Sequence, residues 1–403
     1  MLDARLVLQS PASWRLFENY IFSTSRMMST QAADRNGFIT TLLPAAKRDE
    51  MTMHAILALS GAQLNYQNEA AVEIQQSAAR HYRLTLRGLR DAVGNVSACT
   101  TGAEWLRLSL VLTVLCLIEV LSGQPDGSIF LHLRALRHFV LKIPPPTSSA
   151  QGDLQSQSQR IFVLEAYAYY IIASNIVPYG LMSERYVPYD SFMTDLGYIK
   201  EAESSGTFFC CGYSLFELIA PTASLAAQIV EHQEQNSDHL KTKVLAGYSC
   251  LVDRVLLAQY PFGGHVDAVN NTAQRRAGEL YRTALLIWLK IAIWELHPEG
   301  ESLLAQTQEH VDLSLGLLES VLVSSYGTIA LWALVVIGSC LTRQADIDRL
   351  RKILSRATKW RLTVVQTVLR LLDSLHADSK GEIAGPRGLM RVMQDQGINL
   401  CMA

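Results

Sequence analysis

The chain predicts an all-α fold, a single large helical domain of roughly a dozen helices. Three features carry that expectation. Helix-period apolar patterns recur along nearly all of its 403 residues, and strand-like alternation is sparse. The composition is 49% hydrophobic and 18% charged. A soluble domain is usually about a quarter charged, so the apolar surplus must fill a large core, a partner interface or an apolar ligand cavity.

The first clear stripe runs from Asp49 to Asn65, with Met53, Ile56, Leu57, Leu59, Ser60 and Leu64 at helical spacing. Ala70 to Val93 repeats the pattern through Val72, Ile74, Tyr82, Leu86, Leu89 and Val93. Leu106 to Leu121 is apolar nearly all round, which marks a central helix. With Arg107, Glu119 and about 16 residues, it is short for a membrane span. Gly123 to Gly127 reads as a turn, and Ser128 to Ile143 as a helix stopped by Pro144, Pro145 and Pro146. Thr147 to Gln159 is rich in Ser and Gln and reads as a surface linker.

Helices resume at Ile161 to Val177. Pro178 to Gly206 reads as irregular, a candidate lid. Tyr213 to Glu234 is helical with a kink expected at Pro221, and Ala273 to Leu296 is a long buried helix. Val311 to Val323, Thr328 to Thr342 and Asp346 to Leu375 complete the set. The expected division is thus one domain over 1–376 and a frayed tail over 377–403.

Charge and cysteines narrow the function. Net charge is −2, from 35 basic and 37 acidic residues, with no basic tract, so no nucleic-acid binding by the chain itself is expected. Seven scattered cysteines form no disulfide framework. Met1 to Trp14 lacks the basic-then-apolar order of a signal peptide, so the expected compartment is the cytoplasm, or the nucleus for a regulator. The amphipathic helices are assigned to the core rather than to a membrane. GxSxG, HExxH, Walker and GxGxxG motifs are absent.

Several segments in order carry a resemblance. They include Leu16 to Tyr20, His54 to Ser60, His81 to Arg83, Leu115 to Gly123, His132 to Arg137, Ala277 to Leu289 and Ala330 to Gly338. Together, from about Leu16 to Trp360, they resemble the regulatory domain that follows the zinc cluster in fungal-specific transcription factors. That resemblance implies an all-α fold. The zinc cluster itself needs six closely spaced cysteines, whereas the first cysteine here is Cys99 and no CxxC pair occurs. With no Asp-Asp dipeptide either, the chain is similar to a zinc-cluster-free subgroup, the unorthodox metal-dependent α-humulene synthases. The implied reaction is Mg2+-dependent cyclisation of farnesyl diphosphate to a cyclic sesquiterpene hydrocarbon such as α-humulene. The alternative is a regulator of a biosynthetic gene cluster acting through protein partners or a small effector. The apolar surplus also allows a homodimer face.

A cyclase needs cations for the diphosphate, oxygen ligands for magnesium and aromatic walls for carbocations. Arg134 and Arg137 share a face of an otherwise apolar helix and could grip a diphosphate, or tie helices together. Lys290 could assist, or snorkel to solvent. Glu165 and Asn175 are the candidate metal ligands, because they interrupt an aromatic-rich helix; a buried polar contact between helices is the other reading. Tyr169, one turn from Glu165, and Trp288 are the candidate cation-stabilising rings, and both also suit a core.

Overall fold

The computed structural model describes residues 4–66, 71–95, 101–123, 126–143, 154–174, 187–194, 196, 206–209, 211–235, 238–259, 268–294, 301–356, 363–377 and 385–401. Helices dominate the described residues, which contain no strand. The chain divides into two compact units. The first is Met1–Tyr170 with Ser205–Phe208 and Arg361–Val364; the second holds the remainder.

The first unit starts with Pro11–Asn19. Ser10 caps this helix by accepting the Ser13 N–H, and Pro11 occupies the first turn, where no intrahelical N–H bond is lost. The helix runs on into a wider turn, Tyr20–Thr24, and a similar turn forms at Phe38–Leu42; the Tyr20 hydroxyl donates to the Phe38 carbonyl at 2.9 Å. Helix Glu50–Tyr66 is capped by Asp49, whose Oδ2 accepts the Thr52 N–H at 2.8 Å. It packs against Val72–Gly94 and Gly102–Ser122. Gly61 makes the first contact possible: a Cβ there would lie 2.1 Å from the Ala78 Cβ.

Gly102–Ser122 is the buried centre that its all-round apolar pattern predicts. Thr101 caps it through the Glu104 N–H, and Gly123, at φ 54°, closes it in the left-handed conformation that glycine adopts without strain. By length and composition this helix could cross a membrane, and 83% of its most apolar stretch is buried inside the protein. Ser128–Val140 packs against it. Glu119 joins three helices, accepting the Tyr82 hydroxyl at 2.8 Å and the Ser128 hydroxyl at 2.6 Å.

Helix Leu154–Ser174 begins seven residues earlier than its pattern suggests. Residues 154–159, expected as linker, form its first turns. The chain there is polar because that end faces water: Ser156, Gln157 and Ser158 are exposed. The rest of the linker and most of the candidate lid lie outside the described residues.

In the second unit the pattern expected over Tyr213 to Glu234 is two helices, Tyr213–Phe216 and Ile219–Gln235. Pro221 sits in the first turn of the second, so it starts a helix instead of kinking one. Ala268–Trp294 packs with Glu301–Val321 and with Leu331–Ser339, all nine of whose residues are buried. The long pattern from Asp346 to Leu375 is two helices, Gln344–Arg356 and Thr363–Ala377. Helix Asp238–Leu257 was not anticipated. Nor was order in the tail: Gly385–Asp395 is helical, with Leu389 and Met393 buried, and Leu400 and Cys401 are buried beyond it.

Candidate functional site

The residues nominated from the sequence are divided between the two units. Arg134 and Arg137 lie on Ser128–Val140 in the first unit, Arg134 exposed and Arg137 half-buried. The opposite stripe of that helix, Ile129, Leu133, Leu136 and Val140, is buried. Trp288 and Lys290 belong to the second unit. Trp288 is 2% exposed, with its ring centroid 6.1 Å from that of Trp332, which stacks on Tyr281 at 5.3 Å. Lys290 is half-buried, and burial holds its ammonium below the ordinary lysine range while Glu309 opposes the shift. Asn175 lies outside the described residues.

Glu165 is 1% exposed, and its carboxylate is engaged by main chain. Oε2 accepts the Thr207 N–H at 2.9 Å, and Oε1 the Phe208 N–H at 2.7 Å. The short segment 206–208 is thereby pinned to helix Leu154–Ser174. Rings complete the attachment: Phe208 lies within contact range of Phe38, Phe162, Tyr169 and Tyr170. Tyr169, 5% exposed, is part of this cluster. Magnesium keeps several of its waters when it binds protein. Each Glu165 oxygen already accepts one main-chain amide, which leaves a hydrated magnesium ion only the remaining lone pairs of a carboxylate that is 1% exposed. Among the described residues no group of three His, Cys, Asp or Glu side chains converges to hold a metal ion.

The first unit contains a polar array that the sequence reading missed. His54 projects from Glu50–Tyr66 and His81 from Val72–Gly94, and their Nδ1 atoms face each other at 2.8 Å. His81 Nε2 lies 2.9 Å from the Ser13 hydroxyl, which lies 2.8 Å from the Ser10 hydroxyl. At the other end His54 Nε2 stands 3.5 Å from Glu50. His54, His81 and Ser13 are each under 9% exposed, whereas Ser10 and Glu50 reach solvent.

One proton arrangement satisfies this array. A carboxylate can only accept, so His54 Nε2 carries the proton facing Glu50. Neutral His54 then accepts at Nδ1, His81 donates from Nδ1, and His81 Nε2 accepts from Ser13. Ser10 donates to Ser13. Burial keeps both imidazoles neutral: His81 is pushed down to about 4, with His54 and Arg80 adding to the effect. His54 is lowered by burial against the opposing pull of Glu50. The i, i+4 spacing of Glu50 and His54 was visible in the sequence. The meeting of His54 with His81, 27 positions away, was not.

A family model described as the fungal-specific transcription factor domain matches residues 15–378. No curated protein and no solved structure matches the chain.

Proposed function

The chain belongs to the fungal-specific transcription factor domain family, and on that footing we propose that it is a regulatory module of a biosynthetic gene cluster, acting through a protein partner or a small effector. The observation that carries this reading is the extent of the match, 15–378, which runs through both compact units. Supporting it, the buried acid nominated as a metal ligand, Glu165, is used to hold main chain. The 403 residues contain neither a six-cysteine cluster nor a basic tract, so in this proposal these residues do not themselves read DNA. The corresponding compartment is the nucleus.

The second reading is the sesquiterpene cyclase. What favours it is the resemblance to the zinc-cluster-free subgroup and the buried aromatic group Tyr281, Trp288 and Trp332, a surface suited to cations. In that reading Arg134, Arg137 and Lys290 take the diphosphate of farnesyl diphosphate, magnesium is required, and the enzyme is cytoplasmic.

One two-armed experiment separates them. The whole chain is tethered to a heterologous DNA-binding domain and scored on a reporter. The purified chain is also incubated with farnesyl diphosphate and magnesium, and the headspace is analysed for hydrocarbons. Changed reporter output with no chelator-sensitive hydrocarbon supports the regulator. A cyclic hydrocarbon and an unresponsive reporter overturn it.

A further inference from the structure

We infer that the Ser13–His81–His54–Glu50 array is a proton-operated latch, which holds helix Pro11–Asn19 on helices Glu50–Tyr66 and Val72–Gly94 until both imidazoles are protonated and so releases it on acidification. The proposal is independent of whether the chain regulates or cyclises.

The geometry gives the latch its sensitivity. Two Nδ1 atoms at 2.8 Å need one N–H and one lone pair between them. A first added proton can be accommodated by reversing the array. His54 then donates from both nitrogens, His81 accepts at Nδ1 and turns its Nε2–H to Ser13, and Ser13 turns its hydroxyl to Ser10. A second proton places two N–H groups and two positive charges face to face, and the bond is lost. The Ser13 link, which ties the first helix to His81, is at the end of the same array.

The surrounding charges do not neutralise this effect. From Glu50–Tyr66, Glu50 faces His54 and draws protons toward it. Asp49, at the cap, does so more weakly, and its Oδ1 is also taken by Arg107 from Gly102–Ser122 at 2.9 Å. From Val72–Gly94, Arg80 repels protons from both imidazoles. From Pro11–Asn19 the group that meets the pair is the uncharged Ser13 hydroxyl.

The sign follows from linkage. An opened histidine titrates near its ordinary value of about 6.5, whereas His81 in the closed array titrates at about 4. Between those values the open form binds more protons, so the latch weakens as pH falls through that window.

The test uses the intact chain with 15N-labelled histidine. At pH 7 His54 is expected as the Nε2–H tautomer and His81 as the Nδ1–H tautomer, with His54 titrating below the ordinary histidine value and His81 at about 4. Both histidines as Nε2–H tautomers, or ordinary titration of either, overturns the proposal. Amide exchange, corrected for its intrinsic pH dependence, should show protection of 11–19 falling at least tenfold between pH 7 and pH 4.5 relative to 331–339. His132, His310 and His376 are also held low by burial, so whole-chain unfolding must be read by difference. His81→Gln should lower the urea midpoint at pH 7 and reduce its further fall at pH 4.5. An undiminished fall in a folded His81→Gln variant counts against the latch. Should that variant fail to fold, the tautomers of the parent decide.

Discussion

Glu165 and Phe208 are 43 positions apart in the chain, yet the Glu165 Oε1 accepts the Phe208 N–H at 2.7 Å in a site that is 1% exposed. With Thr207 on the other oxygen, the carboxylate acts as a two-pronged main-chain clasp. The ring of Phe208 is then set among Phe38, Phe162, Tyr169 and Tyr170. A charged acceptor suits this role because it serves both amides at once, and a charged hydrogen bond contributes about 1.5–3 kcal/mol.

Glu165→Ala should therefore destabilise the chain by about 3 kcal/mol, since two buried N–H groups lose their acceptor. Glu165→Gln should cost less, because its single carbonyl oxygen still serves one amide. Urea denaturation of the three proteins checks the order. A Glu165→Ala variant as stable as the parent would show that the clasp contributes nothing.

Gly61→Ala should cost about 1–3 kcal/mol, although alanine is ordinarily the better helix former by about 1 kcal/mol. The added methyl would meet the Ala78 Cβ at 2.1 Å, backbone-fixed atom against backbone-fixed atom. Ala78→Gly in the same chain should recover part of the loss. A double-mutant cycle with no coupling would contradict the close approach of these helices.

Trp288→Ala should lower stability by about 3–5 kcal/mol, the usual cost of emptying a large aromatic site in a core. Tyr281→Phe should lose about 1 kcal/mol with its hydroxyl bond to the Ile329 carbonyl, 2.5 Å long. Thermal unfolding measures both. In the cyclase reading a folded Trp288 variant, such as Trp288→Phe, also shifts the product mixture; in the regulatory reading there is no product to shift.

Arg134→Ala divides the two functional readings. Arg134 is exposed, so the regulator should tolerate the change within about 0.5 kcal/mol of stability. Arg137→Ala should cost slightly more, because the stem of a half-buried arginine covers apolar surface. A cyclase using both on a diphosphate should instead slow by roughly ten- to a hundredfold per residue. Turnover per folded molecule, at saturating magnesium, gives the answer.

The sequence reading succeeded where one helix face could be read by itself. Glu50–Tyr66, Val72–Gly94 and Gly102–Ser122 lie within a few residues of their patterns. It missed Asp238–Leu257 because, among its described side chains, the buried stripe is sparse, Val244, Leu251 and Val255, while Leu245, Leu256 and Leu257 are exposed. The apolar residues therefore spread round the helix and blur its period. The tail helix carried a signal that went unused: Pro386 in the first turn, then Leu389 and Met393 one turn apart.

The all-α class and the course of the main helices were determined by the sequence itself, because a 3.6-residue period is a local property and burial follows the apolar stripe. The family resemblance rested on the order of short segments, which is also written along the chain. The partners of single polar groups were decided by tertiary structure. The sequence left open whether Glu165 meets a metal, an arginine or a main-chain amide, and the placement of 207–208 against its helix brings it two amides. His54 and His81 occupy unremarkable positions on two helices until those helices pack and bring their Nδ1 atoms to 2.8 Å. Such meetings depend on the register and approach of distant helices, to within the few tenths of an ångström that a hydrogen bond tolerates, and periodicity along one chain does not encode that distance.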